Sequence, residues 1–439
     1  MAEIAPMQPL VYDAALLPSV VAPPYDVIDA ELRKQLGDRH PNNVVHIDLP
    51  EGDGDQRYEN ARALFQRWQE QGVLRRDPAP AFWRYAQTFE PPGGGARVTR
   101  KGFFALVRAV PFSDRVILPH ERTLSGPKLD RMNLSRATRA TLSPQFMLYS
   151  DPQRALESDL DSGEPFADFT TDDGIRHQLW RVTGARAVVN IANALSSSAL
   201  LIADGHHRYE TAVALARELD ETARAEGRAP SARGEHLYTF AFLANGDDPS
   251  LLVFPTHRLV HSLPSFDFDQ LLAKAKELFD VRALSADADA DALTAKLAVE
   301  GRTRPAIGAV AADGRAAMLV LREGVELGRH PVLGKRPEAV RKTAVAILHD
   351  GLLEHVLGIT PEAQAAKTNI AYPQDARASI SSLKGGRGQV LFLMNPTPVE
   401  TIREVALAGE VMPQKSTFFY PKVPTGLMFH TLDPSRDVG

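Results

Sequence analysis

Two stretches of this chain concentrate side chains able to hold or move charge. The denser is Asp204-Gly205-His206-His207-Arg208, with Thr211 just beyond, set directly after the apolar run 199–203. An apolar strand that runs into Asp-Gly, followed at once by the helical spacing of Ala212, Leu215 and Ala216, reads as strand–turn–helix. Gly205 is free to take a backbone angle that other residues avoid. The N–H groups at a helix start, with His206, His207 and Arg208 beside them, make an anion site of phosphate size. The same residues also read as a plain cap, with Asp204 bonded to the first helical turn and the histidines on the surface.

The second stretch is Pro119-His120-Glu121-Arg122-Thr123, followed by Gly126-Pro127-Lys128-Leu129-Asp130-Arg131. It follows the strand-like run 115–118 and so falls on a loop, where functional side chains gather. Glu121 could serve as a general base or a metal ligand, and Lys128 and Arg131 could hold phosphates. A solvated, salt-bridged loop is the alternative. Three further groups are polar enough to contribute. Tyr25 and Asp26 lie in a Pro-rich turn before a helix, where Asp26 or Asp29 would act as a cap. His257 and Arg258 follow Pro255-Thr256. Lys415, Ser416, Thr417 and Lys422 lie among three aromatic residues, in a segment that either packs back onto the body or forms an aromatic edge strand.

Helix and strand patterns alternate around these groups. Residues 29–40 and 58–71 read as helices, the second with Ala61, Leu64, Phe65 and Trp68 on one face and Gly72 at its stop. Runs 81–89 and 100–110 read as strands joined by the turn-rich 91–95. Short strands are expected at 146–149, 179–182 and 199–203, and a longer one at 236–244. Beyond 263 the pattern predicts helices at 268–279 and 287–299, strands at 306–311 and 316–322, and a long helix over 337–357 with Gly351 as its weak point. A strand at 390–394 and a helix at 399–407 complete it. The acidic-alanine run 286–292 reads as a helix start. The fold class is mixed α/β, with a core at 1–262, an α/β domain at 263–410 and a C-terminal segment at 411–439.

With 439 residues, 44% hydrophobic and 24% charged, the composition is that of a globular protein of more than one domain. The net charge of -5 gives no whole-chain attraction to nucleic acid, which is not expected as a partner. Cysteine is absent, which removes disulfides, Cys nucleophiles and Cys-ligated metals together. The longest uncharged stretch, 187–203, is interrupted by Asn190, Asn193 and three serines, too polar for a membrane span. The first residues lack the pattern of a signal peptide, so a cytoplasmic location is expected. No G-x-x-x-x-G-K-S/T loop, strand-linked G-x-G-x-x-G, H-E-x-x-H, G-x-S-x-G or protein-kinase signature occurs.

Taken together, Pro23-Pro24-Tyr25-Asp26-Val27-Ile28, Pro119-His120-Glu121 with Thr123, Pro127-Lys128 with Asp130-Arg131, Asp204-Gly205-His206-His207-Arg208, Pro255-Thr256-His257-Arg258 and Lys415-Ser416-Thr417 with Tyr420-Pro421-Lys422 resemble the domain-of-unknown-function 1015 family. The resemblance covers nearly the whole chain in order. It implies a ParB/sulfiredoxin-like core, because the 204–208 turn is similar to the glycine–His/Arg turn of that superfamily, with an additional C-terminal α/β domain. In that superfamily nucleotide phosphates sit at the start of the helix after the turn, which implicates Asp204, Gly205, His206, His207, Arg208 and Thr211, with Lys128 and Arg131. Sulfiredoxin's reactive cysteine is missing here, so sulfinic-acid repair is excluded. The DNA-binding helix-turn-helix of a partitioning protein is not evident.

The resemblance to the free-serine kinase branch implies a nucleotide-dependent phosphotransferase that acts on a small hydroxylated metabolite, free L-serine being the leading guess. ATP or ADP with Mg²⁺ would be the cofactor. Glu121 would take the acceptor's proton, with His120 orienting it, while Tyr25, Asp26, Thr123, Asp130, His257, Arg258, Lys415, Ser416, Thr417 and Lys422 would complete the site. Catalysis of this kind is mainly positioning and charge neutralisation. Two alternatives use the same anion pocket, a ParB-like nucleotide-binding regulator without metabolic turnover, and a phosphatase or nuclease.

Overall fold

A computed structural model describes residues 1–123, 125–284 and 289–439, the side chains of 125–127 excepted. The chain is mixed α/β and divides into two compact units. The first comprises 1–118, 124–252 and 421–439, and the second 119–123 and 253–420.

The first unit is built on a mixed sheet. In order across it lie Ile117–Leu118, Leu200–Asp204, Gln145–Tyr149, Tyr238–Asn245, Val98–Arg108, Phe82–Phe89, Arg176–Val182 and Glu164–Thr170, and Ile4–Ala5 pairs with Val98–Arg108. The expected hairpin is present, Phe82–Phe89 against Val98–Arg108 with Thr88 opposite Thr99. Two pairings are parallel, Leu200–Asp204 with Ile117–Leu118 and Tyr238–Asn245 with Gln145–Tyr149. Aromatic residues fill the centre: Tyr85, Phe104 and Phe242 meet with ring centroids 5.1–5.5 Å apart. Each such buried ring contributes about 2–3 kcal/mol of apolar burial. Gly102 is needed there, since a Cβ would lie 2.5 Å from the Phe242 ring.

Of the helices in this unit, His206–Ala225 packs on the sheet, while Gln56–Glu70 packs on Ser125–Thr138. Ala30–Arg39 starts at Asp29, whose side chain accepts from the Leu32 N–H, so Asp29 rather than Asp26 is the cap. Gln56–Glu70 buries Ala61, Phe65 and Trp68, and Gly72 follows it with φ +70°. His206–Ala225 is the long helix that follows Leu200–Asp204.

The second unit holds an antiparallel sheet in the order Phe279–Leu284, Ala316–Leu321, Ala306–Ala311, Val390–Met394, Arg258–Val260 and Ile370–Ala371. Leu293, Leu297, Met318, Val320, Leu391 and Leu393 form its core. Two expectations fail here. The helix expected at 268–279 ends at Ala275, and Phe279–Leu284 is an edge strand, because its alternation suits pairing with Ala316–Leu321. The helix expected over 337–357 is broken into Glu338–Arg341, Ala344–Ala346 and a π-helical Ile347–Glu354. Thr343 causes the break, its hydroxyl capping the Ala346 N–H. Gly351 is no weak point but a close approach, where a Cβ would lie 2.8 Å from Leu278. Ala290–Glu300 is capped by Asp289; the start expected at Asp287 lies outside the described residues. No helix among them is long and apolar enough to cross a membrane.

Candidate functional site

Leu200–Asp204 ends at the head of His206–Ala225, and Gly205 makes the turn with φ +93° and ψ +28°. That left-handed angle favours glycine. Gly205 is the N-cap residue and itself offers no side chain to the first turn. Asp204 is turned instead toward two cations: Lys422 Nζ donates to Oδ1 and Arg208 Nη2 to Oδ2, the latter at 2.6 Å. Arg208 also donates to the Pro144 carbonyl and, at 3.3 Å, to Ser143 Oγ.

Beneath this turn lies a residue that the motifs did not single out. Arg100 is 1% exposed, stands over the rings of Phe146 and Phe242, and donates through Nη2 to Gln87 Oε1 and the Pro421 carbonyl. Its Nε and Nη1 have no hydrogen-bond partner among the described residues. Burial pulls its pKa down to about 10, while Tyr85 and Asp204 act to raise it. Three cations, Arg100, Arg208 and Lys422, therefore share the field of the Asp204 carboxylate at a helix N-terminus. The signal in the sequence was a lone charged residue at an inward position of a strand.

Other expected residues of the first unit join this region. The guanidinium of Arg131 sits 4.2 Å from the centre of the Tyr25 ring and binds Asp48 Oδ1 at 2.9 Å and Asp130 Oδ2 at 2.5 Å. Burial works against its charge, yet Asp48 and Asp130 outweigh burial and hold its pKa above the usual value. Asp130 also accepts from Arg57 and from the Tyr58 hydroxyl, each at 2.9 Å. Burial raises the Tyr25 pKa against the lowering effect of Arg208 and Arg131. Lys128 pairs with Glu210 at 2.5 Å. Thr211 and His206 are buried, His207 is half-buried and Asp26 is exposed. Asp48, Arg131, Arg208 and Thr211 line one small cavity of about 30 Å³.

A separate group assembles within the second unit. Glu121 Oε1 accepts from the N–H groups of Ser416 (2.9 Å) and Thr417 (3.1 Å) and from the Thr417 hydroxyl, and Oε2 accepts from Lys415 N at 3.3 Å. His120, fully buried, meets Thr417 Oγ1 at 2.9 Å and stands 3.7 Å from Glu121 Oε1. Arg258, 1% exposed, donates to the Lys415 carbonyl at 2.9 Å and through Nε to His349 Nε2 at 3.1 Å. Burial lowers the Arg258 pKa to about 10, with Tyr372 and Glu121 acting to raise it. His257 turns away, its Nδ1 accepting from Met394 N, and burial with Arg258 holds its pKa down to about 4. Thr123 is half-buried. The motifs at 119–121, 256–258 and 415–417 thus meet in three dimensions, and His349, which the sequence did not mark, joins them.

Cation sites can be tested on the donor groups. Asp48, Asp130 and Asp204 are all bound to guanidinium or ammonium groups, so they do not offer Mg²⁺ a ready position. Among the described residues one cluster, Glu277, His330 and His355, has a metal-ligand arrangement. There His330 Nδ1 accepts from both Val332 N and Leu333 N, each at 3.2 Å, which leaves the ring proton on Nε2. A nitrogen that carries its proton is not a ligand, so this cluster does not fit a metal.

No curated protein matches the chain in sequence. Among solved structures, a conserved hypothetical protein from Pyrococcus furiosus is similar at 13% identity and TM-score 0.35, over 73% of this chain and 93% of its own. A free serine kinase in complex with AMP gives 12% identity and TM-score 0.36, over 73% and 89%. SbnI with a C-terminal truncation, from Staphylococcus aureus, gives 11% and 0.34, over 75% and 87%. At these TM-scores the superposition is loose and says nothing of this chain's chemistry. The family model described as Protein of unknown function (DUF1015) matches residues 4–346, a span that carries the motifs at 23–28, 119–131, 204–208 and 255–258, and the chain belongs to that family.

Proposed function

We propose that the chain is a nucleotide-dependent phosphotransferase acting on a small hydroxylated metabolite, with free L-serine the first acceptor to test. The observation that carries this is the convergence of Arg208 and Lys422 on Asp204, with Arg100 in the same field, at the start of the helix His206–Ala225. Such a place favours a multiply charged anion, and a nucleotide's phosphates have that chemistry. The N–H groups at the start of His206–Ala225 would bind phosphate oxygens, with Arg208 and Lys422 beside them. Arg131 and Lys128 would contribute once an incoming phosphate competes with Asp130 and Glu210. Mg²⁺ would arrive on the nucleotide rather than in a protein cage, since the nearby carboxylates are already paired.

The Glu121 carboxylate, engaged by the 415–417 backbone and the Thr417 hydroxyl, holds that segment in place and is not part of this proposal. The test is phosphorus NMR of the protein with ATP or ADP, Mg²⁺ and a pool of hydroxylated metabolites that includes L-serine. A new phosphomonoester signal is expected, lost together with nucleotide binding in Arg208→Ala. Release of inorganic phosphate alone would instead favour a hydrolysing regulator. No turnover and no nucleotide binding would overturn the proposal.

A further inference from the structure

The second unit contains a cavity of about 180 Å³ that none of the motifs predicts. Its floor is rigid and already satisfied. Arg336 holds Asp350 by two bonds of 2.8 Å, and Asp350 is 2% exposed. His349 uses both nitrogens: Nδ1 donates to Gln364 Oε1 at 2.7 Å, and Nε2 accepts from Arg258. The Tyr372 ring stacks on His349 at an interplanar angle of 19°. His349 and Asp350 reach the same cavity from neighbouring positions because their segment is π-helical, a geometry often found at functional sites. A buried polar network of this kind stiffens the wall that it forms.

The rim is different. Arg122 and Glu410 both line the cavity, and neither makes an ion pair or side-chain hydrogen bond among the described residues. The lining also includes the aliphatic residues Pro337, Val340 and Val411. The cavity thus presents one open guanidinium, one open carboxylate and an apolar surface. We propose that it binds a small α-substituted carboxylic acid, its carboxylate on Arg122, its α-ammonium or α-hydroxyl on Glu410 and its aliphatic remainder against Val340 and Val411. Guanidinium–carboxylate recognition is bidentate and directional, which suits a site built for one end of a small molecule. The volume matches a ligand of roughly eight to ten non-hydrogen atoms.

Amino acids and hydroxy acids share this chemistry, and three acids of one carbon skeleton separate them: L-valine, 2-hydroxy-3-methylbutanoate and 3-methylbutanoate. Their binding to the full chain is read by ligand-observed NMR and calorimetry without nucleotide, so the outcome is independent of the phosphotransferase proposal. The two substituted acids, or one of them, are expected to bind more tightly than 3-methylbutanoate. Arg122→Gln should weaken them about ten-fold or more, and Glu410→Gln should remove the advantage of the α-substituent. Selective loss for valine in Glu410→Gln identifies an amino acid site, and loss for the hydroxy acid a hydroxy acid site. Both positions lie at the rim, and an unchanged melting midpoint checks that the variants fold. No binding at about 10 mM, equal binding of all three acids, or binding indifferent to Arg122→Gln would overturn the proposal.

Discussion

Lys422→Met takes one of three cations from the field of Asp204 and leaves the other two in place. Lys422 and Asp204 are each 18% exposed, so their interaction is partly screened. Two unit charges about 4 Å apart at an effective dielectric near 20 interact by about 4 kcal/mol, and a charge-assisted hydrogen bond contributes about 1.5–3 kcal/mol net. With the partial exposure, the loss in binding a phosphate should be about 2 kcal/mol, or about thirty-fold in Kd. Asp204 keeps Arg208, so the melting midpoint should move by only about 1–2 °C. Calorimetry with ADP and with adenosine at low salt measures this directly. ADP should weaken about thirty-fold and adenosine little, with Lys422→Arg recovering most of the loss. An ADP affinity within about three-fold of the parent protein, or equal losses for ADP and adenosine, would refute the phosphate assignment.

Gly205→Ala should cost about 1–2 kcal/mol in chemical denaturation, because φ is +93° and the new Cβ would press on Arg208 Nη2 at 3.0 Å; an unchanged denaturation curve would contradict the strained turn. Asp350→Asn breaks a buried two-bond pair with Arg336 and should cost about 3 kcal/mol, toward the lower end for such pairs because Arg336 can reach solvent. A loss below about 1 kcal/mol in urea would count against the rigid floor. Burial holds His177, His257 and His430 down to about 4 and His349 to about 3, so all four enter the fold neutral. Their stabilisation is complete above the unfolded value near 6.5 and is lost as pH falls toward the folded values, about 2 kcal/mol each between pH 7 and pH 5. The urea midpoint should therefore drop steeply over that interval, and a flat profile would show that these rings are not buried neutral.

Local order was legible in the sequence where the signal is local. The 3.6-residue spacing of Ala61, Phe65 and Trp68 and the turn chemistry of 91–95 each mark one element, and both elements are present. The edge strand Phe279–Leu284 was not legible, since its choice of strand over helix depends on a partner some 37 residues away in Ala316–Leu321. The site divides in the same way. Motif content pointed to the 204–208 turn and to Glu121, but spacing alone could not show that Asp204 is held by Lys422 rather than capping its helix, or that Glu121 binds the 415–417 backbone. Arg100 and His349 were missed because neither belongs to a cluster of chemistry-bearing residues, and only the three-dimensional arrangement reveals what each faces.

The way the chain divides has a consequence for its biosynthesis. Synthesis runs from the first residue onward, and domains generally fold as they emerge. The first unit cannot do so, because residues 421–439 belong to it. Those residues bring Lys422 to Asp204 and Phe429 to the rings of Tyr12 and Phe65. The second unit in turn uses an early piece, 119–123, which is made long before the 415–417 backbone that Glu121 meets. The nascent chain therefore carries its large sheet without its last segment while 253–420 is made, and a ribosome stalled in that stretch would leave a core open to chaperones and proteases. A version cut at 252 would not be a smaller working protein but an arrested intermediate.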